Sequence, residues 1–141
     1  MDDIPIIIAG CGYTGRRLAT RCMASGNVVL ALVRSRWSLD SLESGGVPVV
    51  QTDLDETPRP TPDQGVRYVY MVPPPTSGDT DPRIARWLTA ISGTPERIVY
   101  LSTTGVYGDR GAPTVDEDTP PRPVSDRARR RLDAESRLLD F

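Results

Sequence analysis

Ile-Pro-Ile-Ile-Ile-Ala-Gly-Cys-Gly-Tyr-Thr-Gly, residues 4–15, sets the architecture of this chain. Residues 4–10 form a continuous apolar run that ends in glycine, the pattern of a central parallel strand buried on both faces. Gly10-Cys11-Gly12-Tyr13-Thr14-Gly15 then spaces three glycines as G-x-G-x-x-G. Helical spacing follows at once. Over 14–24 the pairs Leu18/Cys22 and Ala19/Met23 stand four apart, Arg16, Arg17 and Arg21 face elsewhere, and Gly26 suits the stop. A strand feeding a helix through such a loop brings free backbone N–H groups and the positive end of the helix dipole to one point, which is a site for an anion.

The same alternation continues outward. Residues 27–34 (NVVLALVR) read as a second buried strand, Ser38 as the cap of a short helix through Ser44 that ends on Gly45-Gly46, and 47–52 (VPVVQT) as a third strand. Asp53 to Gly65 carries Pro58, Pro60 and Pro62 at every second position, which predicts an exposed loop. A fourth strand, 66–72 (VRYVYMV), runs into Pro73-Pro74-Pro75. The next helix has Asp81 as N-cap, Pro82 at its first position, Ile84, Trp87, Leu88 and Ile91 on one face, and Gly93 as stop. A fifth strand, 97–102 (RIVYLS), leads to a Gly/Pro/Asp-rich loop and a last helix over 125–139, with Ala128, Leu132, Leu138 and Leu139 inward. Strands alternating with helices imply right-handed crossovers. The expectation is an α/β, Rossmann-type doubly wound parallel sheet of order 3-2-1-4-5 in a three-layer α/β/α domain spanning 1–141. Such a sheet normally continues to a sixth strand, so the chain reads as a Rossmann domain that stops short, a truncated product or a fragment lacking a C-terminal substrate region.

Composition removes whole classes of chemistry. The 141 residues include 17 basic and 19 acidic ones, for a formal charge of -2, and every basic residue is Arg. Without His there is no Ser-His-Asp or Cys-His pair and no His-ligated metal. Without Lys there is no Schiff-base lysine, no Walker-type phosphate lysine and no lysine to assist a catalytic tyrosine. The slightly acidic balance gives no footprint for nucleic acid. Arg127, Arg129, Arg130 and Arg131 stand among Asp126, Asp133 and Glu135, which predicts a solvated helix face. Cys11 and Cys22 are too few for a disulfide scaffold, lack metal-ligand spacing, and read as reduced thiols. No run approaches the ~18 apolar residues of a membrane span. The apolar start is preceded by Asp2 and Asp3, where a signal peptide would be positive. A cytoplasmic protein with no membrane partner is the expectation.

The anion at the glycine loop is read as a dinucleotide. Gly10 permits the tight turn, Gly12 lets the backbone approach a pyrophosphate, Gly15 allows close helix–strand packing, and the amides near Tyr13, Thr14 and Arg16 point at the phosphate. An NAD-selective domain carries Asp or Glu at the end of its second strand to accept from the adenosine ribose hydroxyl. Here that place holds Arg34, followed by Ser35 and Arg36. A guanidinium cannot accept that bond but pairs with a 2′-phosphate in bidentate fashion, which predicts NADP(H) over NAD(H). The missing carboxylate also disfavours an S-adenosylmethionine or FAD domain.

Beyond the loop, IIIAGCGYTGRRLA, TDLD (52–55), VYMVPPP (69–75), VYLSTTGVYGD (99–109), DEDTPPRP (116–123) and RRLDAE (130–135) occur in an order that resembles the short-chain dehydrogenase/reductases of the extended or atypical kind, the NAD-dependent epimerase/dehydratase group. The resemblance implies a bound nicotinamide dinucleotide. It implies that Asp53 and Leu54 meet the adenine, that Val72 and Pro73 pass the nicotinamide ribose, that Thr103 is the catalytic Ser/Thr whose hydroxyl bonds a substrate oxygen, and that Tyr107 belongs to the wall of the substrate cleft. The family's Tyr-x-x-x-Lys centre is not kept: the alignment puts Arg127 at the tyrosine and Arg131 at the lysine. Arg127 is no proton donor near neutral pH, whereas Arg131 can still hold a ribose or phosphate. The arginines at 127, 129 and 131, following Pro121, resemble those of an atypical subgroup without an intact catalytic set.

Three functional readings stay open. One is an NADP-dependent oxidoreductase or sugar-nucleotide epimerase/dehydratase acting on a small-molecule substrate, favoured by Thr103 and the V-Y-G segment. The second is a non-catalytic dinucleotide-binding module, a redox sensor or scaffold, favoured by the lost Tyr-x-x-x-Lys pair. The third is an inactive fragment of the first.

Overall fold

A computed structural model describes residues 4–58, 60, 65–109, 111 and 114–141. The elements run β1 (Ile6–Ala9), α1 (Tyr13–Ala24), β2 (Val29–Val33), α2 (Arg36–Ser44), β3 (Val49–Gln51), β4 (Arg67–Tyr70), α3 (Pro82–Thr89), β5 (Arg97–Tyr100), a one-turn 3-10 helix (Thr104–Tyr107) and α4 (Asp126–Asp140). The five strands form one parallel sheet of order β3-β2-β1-β4-β5. This is the doubly wound, Rossmann-type arrangement expected from the sequence. No helix among the described residues is long and apolar enough to cross a membrane.

The chain divides into two compact units. The first comprises the residues up to Pro73 together with Thr89–Leu101, and so holds the whole sheet with α1 and α2. Its β-branched strands bury apolar side chains on both faces. Ile8, Val29, Ala31 and Val33 join Ala19 of α1 and Leu39 and Leu42 of α2 in one cluster, with Leu18, Cys22 and Met23 packed against it. Ile7, Ala9, Leu32, Tyr68 and Tyr70 on the other sheet face are buried as well. β5 lies at a sheet edge and leaves Val99 exposed.

The second unit comprises Pro74–Leu88 and Ser102–Phe141. α3 begins where Asp81-Pro82 predicts: Asp81 Oδ1 accepts from the backbone N–H of Arg83 (3.0 Å) and of Ile84 (3.3 Å). α4 holds the approach to this cap. Asp133 Oδ2 accepts from Asp81 N at 2.8 Å and from Arg137 Nε at 2.8 Å, while Arg130 Nη1 donates to the Gly78 carbonyl.

Five local expectations need correction, the first being the end of α3, which stops at Thr89 so that Ile91 and Gly93 lie beyond it. α2 is capped by Ser35, whose Oγ accepts from Ser38 N at 3.2 Å, not by Ser38. Two serines three apart are equally good caps, and the extended backbone at Ser35 makes the choice. The Asp53–Gly65 loop is not exposed throughout, because Leu54 is buried; Pro62 lies outside the described residues. The arginine cluster of α4 is not uniformly solvated, since Arg130 is buried on the Gly78 carbonyl. Leu139 is exposed rather than inward: it follows buried Ala134 by five residues, about 140° round the helix.

Asp81 is fully buried, and burial pushes its carboxyl above the ordinary range, partly offset by the Ile84 and Arg83 amides and by the charges of Arg131 and Arg83. The folded state thus holds this proton more tightly than the unfolded chain. Ionising Asp81 lowers stability as pH rises from the unfolded value of about 4 through the raised folded one. Asp81→Asn, which keeps an acceptor for the cap, is expected to match the wild type near pH 4 and to gain on it toward pH 7 in urea unfolding. Asp81→Ala loses about 1–2 kcal/mol with the cap. An Asn variant that loses ground as pH rises would show that the cap and the arginines outweigh burial.

Candidate dinucleotide and substrate sites

In the first unit β1 lies between β2 and β4, with Ala9 level with Leu32 on one side and Tyr70 on the other. Strand order reverses here, which is where doubly wound sheets bind ligands. Gly10 N donates to the Leu32 carbonyl (3.0 Å) and Met71 N to the Ala9 carbonyl (2.8 Å). Gly10 has φ +84°, and a Cβ there would stand 2.7 Å from Val72 N and 2.8 Å from the Met71 carbonyl carbon. The first glycine is therefore demanded by the neighbouring chain as well as by the turn. Gly15 is buried against the Gly10 carbonyl oxygen.

Gly12 is different. Nothing lies within 4 Å of a Cβ built on it, and it caps α1 without any side-chain hydrogen bond or acidic residue in the first turn. The amides of the exposed Tyr13 and Thr14 open α1, so a free helix start faces open space, the arrangement a pyrophosphate needs. Cys11 is buried, and burial pushes its thiol up against a smaller opposing pull from Arg16, so it is a packing group and not a nucleophile.

Arg34, Ser35 and Arg36 follow β2 and are all exposed. Arg34 Nη1 lies 3.5 Å from Asp55 Oδ2, and Arg36 Nε 2.8 Å from Asp40 Oδ1. Asp53 Oδ1 accepts from Asp55 N at 2.9 Å, and Gln51 Nε2 donates to the Arg34 carbonyl at 2.8 Å, so the ends of β2 and β3 are tied together. The side chains of two further residues, Asp55 and Arg16, bear on this site. Asp55 sits inside the TDLD segment but pairs with Arg34 only through strand pairing. Arg16 reaches from α1 to α2, donating from Nη1 to Ser41 Oγ at 2.5 Å and lying over the exposed Trp37 ring at 5.3 Å. Its place directly after Gly15 was the available signal.

The second unit holds the substrate-side candidates. Thr103 is half-buried and caps the 3-10 helix, its Oγ1 accepting from Gly105 N at 3.2 Å. The hydroxyl proton remains a donor, so the cap and a hydrogen bond to a substrate oxygen are compatible. Tyr107 ends that helix, half-buried. Gly108 explains the V-Y-G segment: at φ +70°, a Cβ would overlap the Arg122 carbonyl oxygen at 2.1 Å, where Arg122 N is bound to the Val106 carbonyl at 2.8 Å. α4 packs against this turn. Arg131 on α4 is half-buried and its charge acts on Asp81, while Arg127 is exposed. Ser102 Oγ donates to Glu135 Oε1 of α4, a bond within the second unit that no local spacing signals.

No family model and no curated protein matches the sequence. Solved structures do. An inferred NAD-dependent epimerase/dehydratase from Methylobacillus flagellatus matches 99% of this chain and 52% of its own at 27% identity, with TM-score 0.78. A conserved protein of unknown function from Silicibacter pomeroyi DSS matches 95% of this chain and 48% of its own, also at 27% identity, with TM-score 0.71. The Bacillus cereus UDP-glucuronic acid 4-epimerase, solved with NAD, shares the fold at TM-score 0.72 and 17% identity, over 96% of this chain and 50% of its own. The chain spans about half the length of the structures it matches.

The two strained glycines give a direct check. Gly10→Ala and Gly108→Ala each set a Cβ against fixed backbone at positive φ, and each is expected to lower stability by about 2 kcal/mol or more. Gly12→Ala should leave the melting temperature within about 2 °C, the shift expected of a surface change. Thermal unfolding followed by circular dichroism separates the three, and an unaffected Gly10→Ala would remove the close approach to Val72 as a constraint.

Proposed function

The chain resembles, over nearly its whole length, the N-terminal half of short-chain dehydrogenase/reductases of the epimerase/dehydratase type, and from that premise we propose that it binds a nicotinamide dinucleotide, NADP(H) in preference to NAD(H). One observation carries the reading: at the reversal of strand order, an uncapped α1 start meets open space above Gly12. The Tyr13 and Thr14 amides bind the pyrophosphate, and Gly12, whose own amide donates to the Gly10 carbonyl at 2.8 Å, lets it come close. Arg34, Ser35 and Arg36 take the 2′-phosphate, Asp53 and Leu54 the adenine, and Val72 and Pro73 the nicotinamide ribose. Arg34 and Arg36 must first release Asp55 and Asp40, but exposed ion pairs of this kind are worth only ~0–1 kcal/mol.

When bound, the nicotinamide supplies hydride transfer. The chain's own part is to orient and polarise. Thr103 donates its hydroxyl proton to a substrate oxygen, Tyr107 walls the cleft, and Arg131 holds a ribose or phosphate oxygen. A sugar nucleotide or other small carbonyl compound is the substrate class. The second reading, a dinucleotide-binding module without turnover, is favoured by α4: arginines stand at 127 and 131, and no lysine exists to lower a tyrosine's pKa.

Titration of each nucleotide against Trp fluorescence is expected to show NADPH binding about tenfold or more tighter than NADH, the scale of one charge-assisted contact. Arg34→Asp should narrow or reverse the gap, and Gly12→Ala should weaken both nucleotides by at least about tenfold by filling the pyrophosphate space. Equal affinities would sink the preference, and no binding of either would sink the reading.

If a carbonyl substrate is turned over, Thr103→Val should slow it by ~10²-fold while Thr103→Ser keeps most of the rate. An unchanged Val variant would remove Thr103 from the chemistry. Tight nucleotide binding without turnover on any carbonyl substrate would favour the second reading.

A further inference from the structure

We propose that Asp55, on the turn after β3, tunes the nucleotide selectivity of the glycine-loop site by competing with the cofactor's 2′-phosphate for Arg34, an inference that rests on the dinucleotide reading above. Position 34 is where an NAD-selective domain carries a carboxylate, and along the chain none stands there. The fold brings one back. Parallel pairing sets Val33 beside Gln51, so both strands finish at the same end of the sheet and Asp55 Oδ2 comes within 3.5 Å of Arg34 Nη1. The backbones on both sides are fixed. Gln51 Nε2 holds the Arg34 carbonyl at 2.8 Å, Asp53 Oδ1 holds Asp55 N at 2.9 Å, and Leu54 between them is buried. The two charged side chains themselves stay open, 64% and 41% exposed, so a ligand can reach them.

An arriving 2′-phosphate finds Arg34 partly neutralised and meets a like charge beside it. Because an exposed pair is weak, the phosphate displaces the carboxylate, and the competition appears as reduced affinity for NADP(H) rather than exclusion. A 2′-hydroxyl meets the opposite situation, since the carboxylate can accept its hydrogen bond. Arg34 favours the phosphate, Asp55 favours the hydroxyl, and the preference is the difference between them.

Asp55→Asn keeps the size of the side chain and removes its charge. Fluorescence titration of this variant, its fold checked by circular dichroism, is expected to show NADPH binding about five- to tenfold tighter than in the wild type, from the lost ion pair and lost repulsion together. NADH should bind somewhat more weakly, because an amide oxygen is a poorer acceptor for the 2′-hydroxyl than a carboxylate. In an Arg34→Ala background the same substitution should give a clearly smaller gain, and an equal gain there overturns competition for Arg34. A selectivity ratio unchanged within about twofold, with both nucleotides still bound, overturns the role of Asp55 and leaves the dinucleotide reading standing. A wild-type chain that binds neither nucleotide overturns that reading and this inference with it.

Discussion

Where β1 leaves the sheet, the chain has strands on both sides and no room for a side chain. The Gly10 amide is spent on the Leu32 carbonyl, the Ala9 carbonyl on the Met71 amide, and Val72 N stands where a Cβ would have to go. The chain leaves through a left-handed turn at Gly10, φ +84°, which a residue without Cβ makes at least cost. That turn aims the chain into α1 and sets the helix start, with its unpaired N–H groups, at the point where strand order reverses. The sheet depends on the same crossing. A strand flanked on both edges and buried on both faces has to be apolar throughout, as 6–9 is, and its register aligns β2 and β4 on either side.

The second unit is organised around a different constraint, the placing of polar groups out of water. Asp81 is buried to cap α3, and α4 supplies the groups that make this tolerable: Asp133 for the Asp81 amide, Arg130 for the Gly78 carbonyl, and the field of Arg131 for the carboxylate. The run Arg129-Arg130-Arg131 therefore serves three ends on successive faces of one helix. Arg129 pairs with Asp126 at the surface, Arg130 is inside, and Arg131 lies between. Arginine suits this use better than lysine would, because a planar, weakly hydrated guanidinium is buried against carbonyls at less cost than an ammonium.

Much of this was legible in the residues. The strand order, the cap at Asp81 and the glycine loop follow from local pattern, because each expresses a period, a cap preference or a glycine requirement that acts within a few residues. The residues that escaped are those whose partners lie far along the chain. Nothing near Arg130 marks it as buried, and nothing near Asp55 marks it as the partner of Arg34. Leu139 looks apolar and inward until the face of α4 is fixed by Ala128 and Ala134.

The sequence alone determined that β1 is central, that a helix start with no side-chain cap follows it, and that neither histidine nor lysine chemistry exists anywhere in the molecule. Those are properties of composition and short-range spacing, which folding cannot alter. The tertiary structure alone decided the charge environment of Arg34 and Arg130, because parallel pairing and helix packing bring together groups that spacing keeps apart. Coulomb and desolvation energies depend on distance and burial, which exist only once the chain is folded.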